Sequence, residues 1–166
     1  MIKPEELKDK SSDRKKANKK LFRKIRKINP SDLDRVMKNL HHEVFDRIKC
    51  LECANCCKSI SPFLIDKDIQ RIAKFLKIKP SEFVSRYLKE DEEGDFVFNN
   101  SPCPFLMDDN YCSIYEVRPR ACREYPHTDR KRFVQILDLT LKNTSVCPAV
   151  FEMVEELHEE YDSQKY

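Results

Sequence analysis

The chain has 166 residues, enough for one domain with a sizeable core, and its 40% hydrophobic and 37% charged residues imply a modest interior under a heavily solvated surface. The net charge of +3 is uneven: residues 1–27 carry 12 Lys/Arg against 4 Asp/Glu, whereas residues 28–166 carry 20 against 25. No run approaches the roughly 20 apolar residues that span a bilayer, and a single glycine, Gly94, excludes the glycine-rich phosphate loops of nucleotide-binding proteins.

The opening MIKPEELKDKSSDRKK has no apolar h-region, so a secretory signal is not expected and a reducing cytoplasm is the expected compartment. Residues 4–27 read as a helix in which Leu7, Leu21, Phe22, Ile25 and Ile28 form a thin apolar stripe through a basic field. That stretch sets a basic arm, residues 1–28, ahead of a cysteine-bearing domain, residues 29–166. The arm admits a nucleic-acid or acidic-membrane contact through residues 1–27. A solvated helix laid on the body is the favoured reading, because charge runs usually face water.

After Asn29-Pro30, Ser31 is expected to cap a second helix running to about Ile48, with Asp32 and Asp34 in its first turn. His41 and His42 on it read as surface histidines rather than metal ligands. Asp66 is expected to cap a helix with Ile69, Ile72, Ala73, Phe75 and Leu76, and SEFVSRYLKE to form another burying Phe83, Val84, Tyr87 and Leu88. The stretches DFVF (95–98) and YCSIY (111–115) are expected to pair as a short hairpin. Residues 130–142 suit helix or strand and are read as helix, and Pro148 opens a C-terminal helix.

The eight cysteines carry the chemistry. Residues 49–58, KCLECANCCK, place Cys50, Cys53, Cys56 and Cys57 within eight positions; Cys103, Cys112, Cys122 and Cys147 follow. In a reducing compartment such a set binds metal or does redox work more often than it forms disulfides. Overlapping C-x-x-C steps let sulfurs converge on one centre across a tight turn, and C-x-x-C-x-x-C also opens the bacterial ferredoxin ligand run. Two Cys-Pro steps, Cys103-Pro104 and Cys147-Pro148, extend that likeness in spacing. Neighbouring side chains in extended backbone point apart, so Cys56 and Cys57 are expected to serve different centres or different roles. Arg118, Arg120 and Arg123 surround Cys122 and can offset the charge of a thiolate centre, or pair with nearby carboxylates such as Glu116 and Glu124.

CLECANCC (50–57), PCPFL (102–106), CSIYEVRPRACREYP (112–126) and CP (147–148) together resemble the YkgJ-like CxxCxxCC cysteine-cluster family, described as zinc- or iron-chelating domains. The resemblance covers roughly residues 45–155. It implies a metal-binding domain with Cys50, Cys53, Cys56, Cys57, Cys103, Cys112 and Cys122 as candidate ligands. The family is also similar to part of flagellin lysine-N-methylase, which is associated with an iron–sulfur cluster. Family members often have Gly after the second cysteine and Arg after the double cysteine, where this chain has Ala54 and Lys58; Asn55 is expected to absorb part of the left-handed backbone that glycine would ease.

These observations add up to a mainly α-helical domain with one short β-hairpin around a cysteine-lined metal centre. The candidate metal ligands are Cys50, Cys53, Cys56, Cys57, Cys103, Cys112, Cys122 and Cys147. An iron–sulfur cluster leads zinc, since every candidate donor is sulfur. The alternatives are a metal-dependent enzyme, for which His127 is the best acid–base group, and a nucleic-acid- or partner-binding module using the basic arm. Nothing in the sequence identifies a protein partner.

Overall fold

The structure, a computed structural model describing residues 2–163, is mainly α-helical with one small antiparallel sheet. It divides into two compact units, Met1–Lys49 with Pro126–Tyr166, and Cys50–Tyr125.

The first unit is helical. A 3-10 turn over Pro4–Glu6 leads into α1 (Leu7–Ile25), followed by α2 (Pro30–Arg47). The apolar stripe expected of the arm is its buried face: Leu7, Leu21, Phe22 and Ile25 are all inside, joined by Asn18. The helix packs on the two later helices of the unit, and Arg14 donates from Nε to Glu155 at 2.9 Å. α2 starts two residues earlier than expected. Pro30 takes the first helical position, where its missing N–H costs nothing, so Asn29 becomes the cap and accepts from the Ser31 amide at 2.9 Å. Asp34 leaves the helix terminus altogether: its two oxygens accept from the amides of Arg132 (2.7 Å) and Phe133 (2.8 Å). There a 3-10 turn over Phe133–Ile136 runs into the short helix of residues 137–143, so the ambiguous stretch resolves as helix. The unit closes with the C-terminal helix that begins at Pro148, burying Val150, Met153, Val154, Leu157 and Tyr161. His41 is a packing residue. It stacks on Phe45 at 4.6 Å between ring centroids and shares a 2.8 Å hydrogen bond with the Thr128 hydroxyl.

The second unit opens with two short helices, α3 (Cys50–Cys53) and α4 (Asn55–Ser59), and continues through β1 (Phe63–Leu64), α5 (Asp66–Leu76) and α6 (Pro80–Tyr87). Then come β2 (Leu88–Glu90), β3 (Phe96–Phe98) and, after a long irregular stretch, α7 (Arg120–Glu124). With α8 (Leu137–Asn143) and α9 (Pro148–Ser163) of the first unit, these complete the element order. The sheet runs β1-β3-β2, with Leu88 opposite Phe98 and Leu64 opposite Phe96. The expected pairing of 95–98 with 111–115 is not formed. β3 pairs instead with β2 on one edge, through the acidic turn whose Gly94 sits at φ 83°, and with β1 on the other, so neither edge is left for residues 111–115. Residues 111–115 contribute only an isolated bridge, Leu106 to Cys112, before a 3-10 turn over Tyr115–Val117.

The core of this unit is Leu64, Ile69, Ile72, Ala73, Phe83, Leu88, Phe98, Phe105 and Ile114. Phe105 sits at its centre, 4.9 Å from Tyr87, 5.5 Å from Phe98 and 6.2 Å from Phe83 between ring centroids. In a chain with one glycine, left-handed backbone falls on ordinary residues: Ala54, Lys77, Asn110, His127 and Arg132 all have positive φ.

Burial holds the His41 imidazolium unfavourable and lowers its pKa below the ordinary value, against the opposing pull of Asp129. The unfolded chain therefore binds this proton more readily than the folded one, so acidification through about pH 6.5 removes stability. His41→Gln is expected to unfold with a urea midpoint that falls less between pH 7.5 and pH 5.5 than the wild-type midpoint does.

Candidate metal centre

Seven of the eight cysteines lie in the second unit. Cys50 and Cys53 occupy the ends of α3, Cys56 and Cys57 are consecutive on α4, Cys103 and Cys112 flank the irregular segment, and Cys122 sits on α7. Cys50 is exposed as a residue and the other six are half-buried. Cys147 belongs to the first unit, where it is buried and its amide donates to the Asn143 carbonyl at 2.8 Å.

Each ligand-bearing segment is anchored by a neighbour in sequence. Phe105 and Ile114 plunge into the core two residues after Cys103 and Cys112, and both cysteines pack against that core. Three hydrogen bonds then tie the irregular segment to the cysteine helices. The Cys103 amide donates to the Cys57 carbonyl at 2.8 Å, Ser101 Oγ to the Lys58 carbonyl at 3.0 Å, and Asn110 Nδ2 to the Glu52 carbonyl at 3.1 Å.

The third anchor is ionic. Asp68 is almost wholly buried, and its Oδ1 accepts from Arg71 at 2.5 Å and from the Arg120 amide at 3.1 Å. Its Oδ2 accepts from the Ile65 amide at 3.4 Å, so Asp68, not Asp66, closes the start of α5. Arg71 also donates to the carbonyls of Val117 (3.3 Å) and Arg118 (2.9 Å). One buried pair thus holds the Val117–Arg120 backbone that leads into Cys122. Sequence reasoning missed both residues. The available signal was periodicity: Asp68 lies four residues before Ile72 and so falls on the apolar face of an amphipathic helix.

The double cysteine departs from expectation. Helical backbone brings the two side chains together, and the Cys56 and Cys57 sulfurs stand 4.0 Å apart. Four thiolates about 2.3 Å from a tetrahedral ion would have edges of about 3.8 Å, so this pair is spaced to share a centre. The turn between α3 and α4 falls on Ala54, at φ 48° and ψ 16°, and α4 already begins at Asn55. Ala54 therefore carries the left-handed conformation itself, and Asn55 does not relieve it.

The sulfurs feel one another. Burial pushes the Cys122 thiol up to about 12 and the Cys103 thiol up to about 11, with the charges of neighbouring sulfurs adding to both. The Cys50 and Cys112 thiols are raised for the same first reason. Cys57 is the exception: the hydrogen bond from Cys56 lowers it to about 7, against burial. The charge of Cys57 adds to the rise at Cys50, Cys103, Cys112 and Cys122. Of the three arginines around Cys122, Arg118 is the one whose charge reaches the sulfurs, favouring the thiolates of Cys50, Cys112 and Cys122. It lies 3.7 Å over the Tyr115 ring and donates to the Tyr115 carbonyl at 2.7 Å. Arg120 is paired with Glu124 at 2.5 Å, and Arg123 is exposed in the last turn of α7.

Among the described residues, no three Cys, His, Asp or Glu side chains are drawn together tightly enough to grip a single ion as they stand. The donor set nevertheless fits a thiophilic metal in its chemistry: seven soft sulfurs, one cation facing them, and backbone anchors on every segment. His127, the sequence's acid–base candidate, is half-buried at φ 67° in the first unit, and no helix among the described residues is long and apolar enough to cross a membrane.

Residues 49–148 match the CxxCxxCC family model, described as "Putative zinc- or iron-chelating domain". An uncharacterized protein of Methanocaldococcus jannaschii, MJ0661, is 34% identical over 86 residues, a match covering 50% of this chain and 46% of that protein. The chain therefore spans about half the length of this curated relative. No solved structure matches the chain.

Two substitutions test the scaffold. Arg71→Met leaves the Asp68 carboxylate buried without its cation and is expected to cost about 3–5 kcal/mol in chemical denaturation. The double variant Asp68→Asn/Arg71→Met should lose clearly less than the sum of the single losses. At the α3–α4 turn, Ala54→Gly removes a left-handed penalty of about 1–2 kcal/mol at the loss of one buried methyl worth about 0.8 kcal/mol. It should fold at least as stably as the wild type, whereas Ala54→Val should be destabilised in the same assay.

Proposed function

The chain belongs to the CxxCxxCC family, and on that premise we propose that it is a metal-binding protein whose Cys50–Tyr125 unit holds an iron–sulfur cluster through its clustered cysteine thiolates. The observation that carries this reading is the gathering of seven cysteines in one small unit, on segments that are each anchored in the core or to one another. Cys50, Cys53, Cys56, Cys57, Cys103, Cys112 and Cys122 are the residues that would hold the group. Cys147 is left as a buried core thiol of the helical unit, a common role for cysteine.

Zinc is the competing occupant; the all-sulfur donor set and the C-x-x-C-x-x-C spacing of Cys50, Cys53 and Cys56 favour the cluster. When bound, a cluster supplies reversible one-electron chemistry and cross-links the segments that carry its ligands. The protein's own contribution is the positioning just described, together with the Arg118 cation held against Tyr115, which lowers the cost of collecting thiolate charge.

Anaerobic purification, elemental analysis and an absorption spectrum test the reading. Iron with acid-labile sulfide and a broad visible band are expected. Colourless protein with stoichiometric zinc would overturn the cluster, and protein without either metal would overturn metal binding. Cys57→Ser is expected to abolish loading, whereas Cys147→Ser should leave metal content unchanged.

The raised thiols add a pH dependence. Cys103 and Cys122 remain protonated at neutral pH without metal, so ligation must expel those protons. Lowering the pH therefore favours the metal-free form. Affinity for zinc, used as a substitute probe, should fall by at least about tenfold between pH 8 and pH 7, with proton release read by a weakly buffered indicator dye.

A further inference from the structure

The helical unit carries a surface that the metal reading does not use. From Arg14 to Lys27 the sequence RKKANKKLFRKIRK holds nine cations and no acid. The fold splits them into two groups. Arg14 pairs with Glu155, Lys24 donates to the Tyr161 carbonyl, and Arg26 pairs with Asp138. Lys15, Lys16, Lys19, Lys20, Arg23 and Lys27 are all exposed, and no described carboxylate pairs with any of them. Lys16, Lys19, Lys20, Arg23 and Lys27 recur at i, i+3, i+4, i+7 and i+11, which places them along one line on the side opposite buried Asn18, Leu21, Phe22 and Ile25. At about 1.5 Å per residue the line is about 17 Å long.

We propose that this exposed face of α1 and the turn after it is a docking surface for the phosphodiester backbone of a nucleic acid. Two features choose that partner. The cations are unneutralised and on one rigid line, so they meet a linear polyanion without having to break internal ion pairs. A membrane-surface helix needs its apolar side chains free to enter the lipid. Those of α1 are spent inside the protein: Leu7 and Ile25 are fully buried, Phe22 is 3% exposed and Leu21 4%. The face carries no exposed aromatic to stack on bases and no acceptor-rich side chain to read base edges, so the contact is backbone-directed and indifferent to sequence.

The test uses the full chain, as purified, titrated against a fluorescein-labelled 25-base-pair duplex of random sequence and a 25-nucleotide single-stranded RNA. With four or five cations engaged, the logarithm of duplex affinity should fall against the logarithm of salt with a slope of about −4. Lys16→Glu, Lys20→Glu, Arg23→Glu and Lys27→Glu in combination should weaken binding to either probe at least a hundredfold, with helical content and metal content unchanged. A control reversing Lys67 and Lys74, exposed on the other unit, should leave affinity within twofold of the wild type. Absence of binding to both probes at 50 mM salt, or equal binding by the quadruple variant, would overturn the proposal. Binding to vesicles containing phosphatidylserine without binding to either nucleic acid would overturn it in favour of a membrane surface. Because metal content is measured on the same samples, failure of this inference and failure of the metal reading remain separate results.

Discussion

A buried carboxylate on α5 governs the geometry of the cysteine unit. Asp68 lies on the apolar face of its helix, so its charge must be satisfied inside the protein, and three donors converge to do so. One of them, Arg71, also donates from Nε and Nη2 to two consecutive backbone carbonyls, those of Val117 and Arg118, in a distant segment of the unit. The desolvation of one charge is thereby converted into a fixed path for the backbone that delivers Arg118 and Cys122. Taking such a charge from water is costly unless every lone pair finds a partner, so the arrangement tolerates few alternatives.

The remaining anchors work by packing. Phe105 and Ile114 each follow a cysteine by two residues, so burying the aromatic or aliphatic side chain sets the position of the thiol before it. This coupling, with the hydrogen bonds to the cysteine helices, explains how a stretch with little regular secondary structure can hold reactive groups in place. It also divides labour along the chain: the core supplies rigidity, while the sulfurs stay half-buried at its margin, where a metal can reach them.

The helical unit obeys a different economy. Its helices bury apolar faces and a few polar groups, such as Asn18, whose Oδ1 shares a 2.9 Å hydrogen bond with His158, while its basic side chains face water. The cysteine unit is inserted between residues 49 and 126 of this helical frame. Chemistry and charge are thus segregated: soft donors lie in one unit, and the unneutralised cationic line in the other.

Much of the secondary structure was legible because periodicity and proline placement are local. The helices at α1, α2, α5, α6 and α9 follow from apolar spacing and from Pro30, Pro80 and Pro148. The cysteine spacing likewise identified the chemistry and the family, since thiols that crowd a hydrophilic loop have few other uses. What the sequence could not decide depends on distance in space. Which strands β3 pairs with depends on which segments the packed core brings to its two edges, and residue identity does not reveal that. Whether Cys56 and Cys57 diverge or meet depends on the backbone being helical there, and that in turn rests on Ala54 adopting a left-handed turn. Asp34 and Asp66 read as helix-start acids by position, yet Asp34 bonds the amides of Arg132 and Phe133 and Asp68 takes the place expected of Asp66, because a carboxylate bonds whichever amides the fold brings to it. Local sequence determined the elements and the donor chemistry; only tertiary structure decided which donors face one another, because that is settled by burial and by long-range hydrogen bonds.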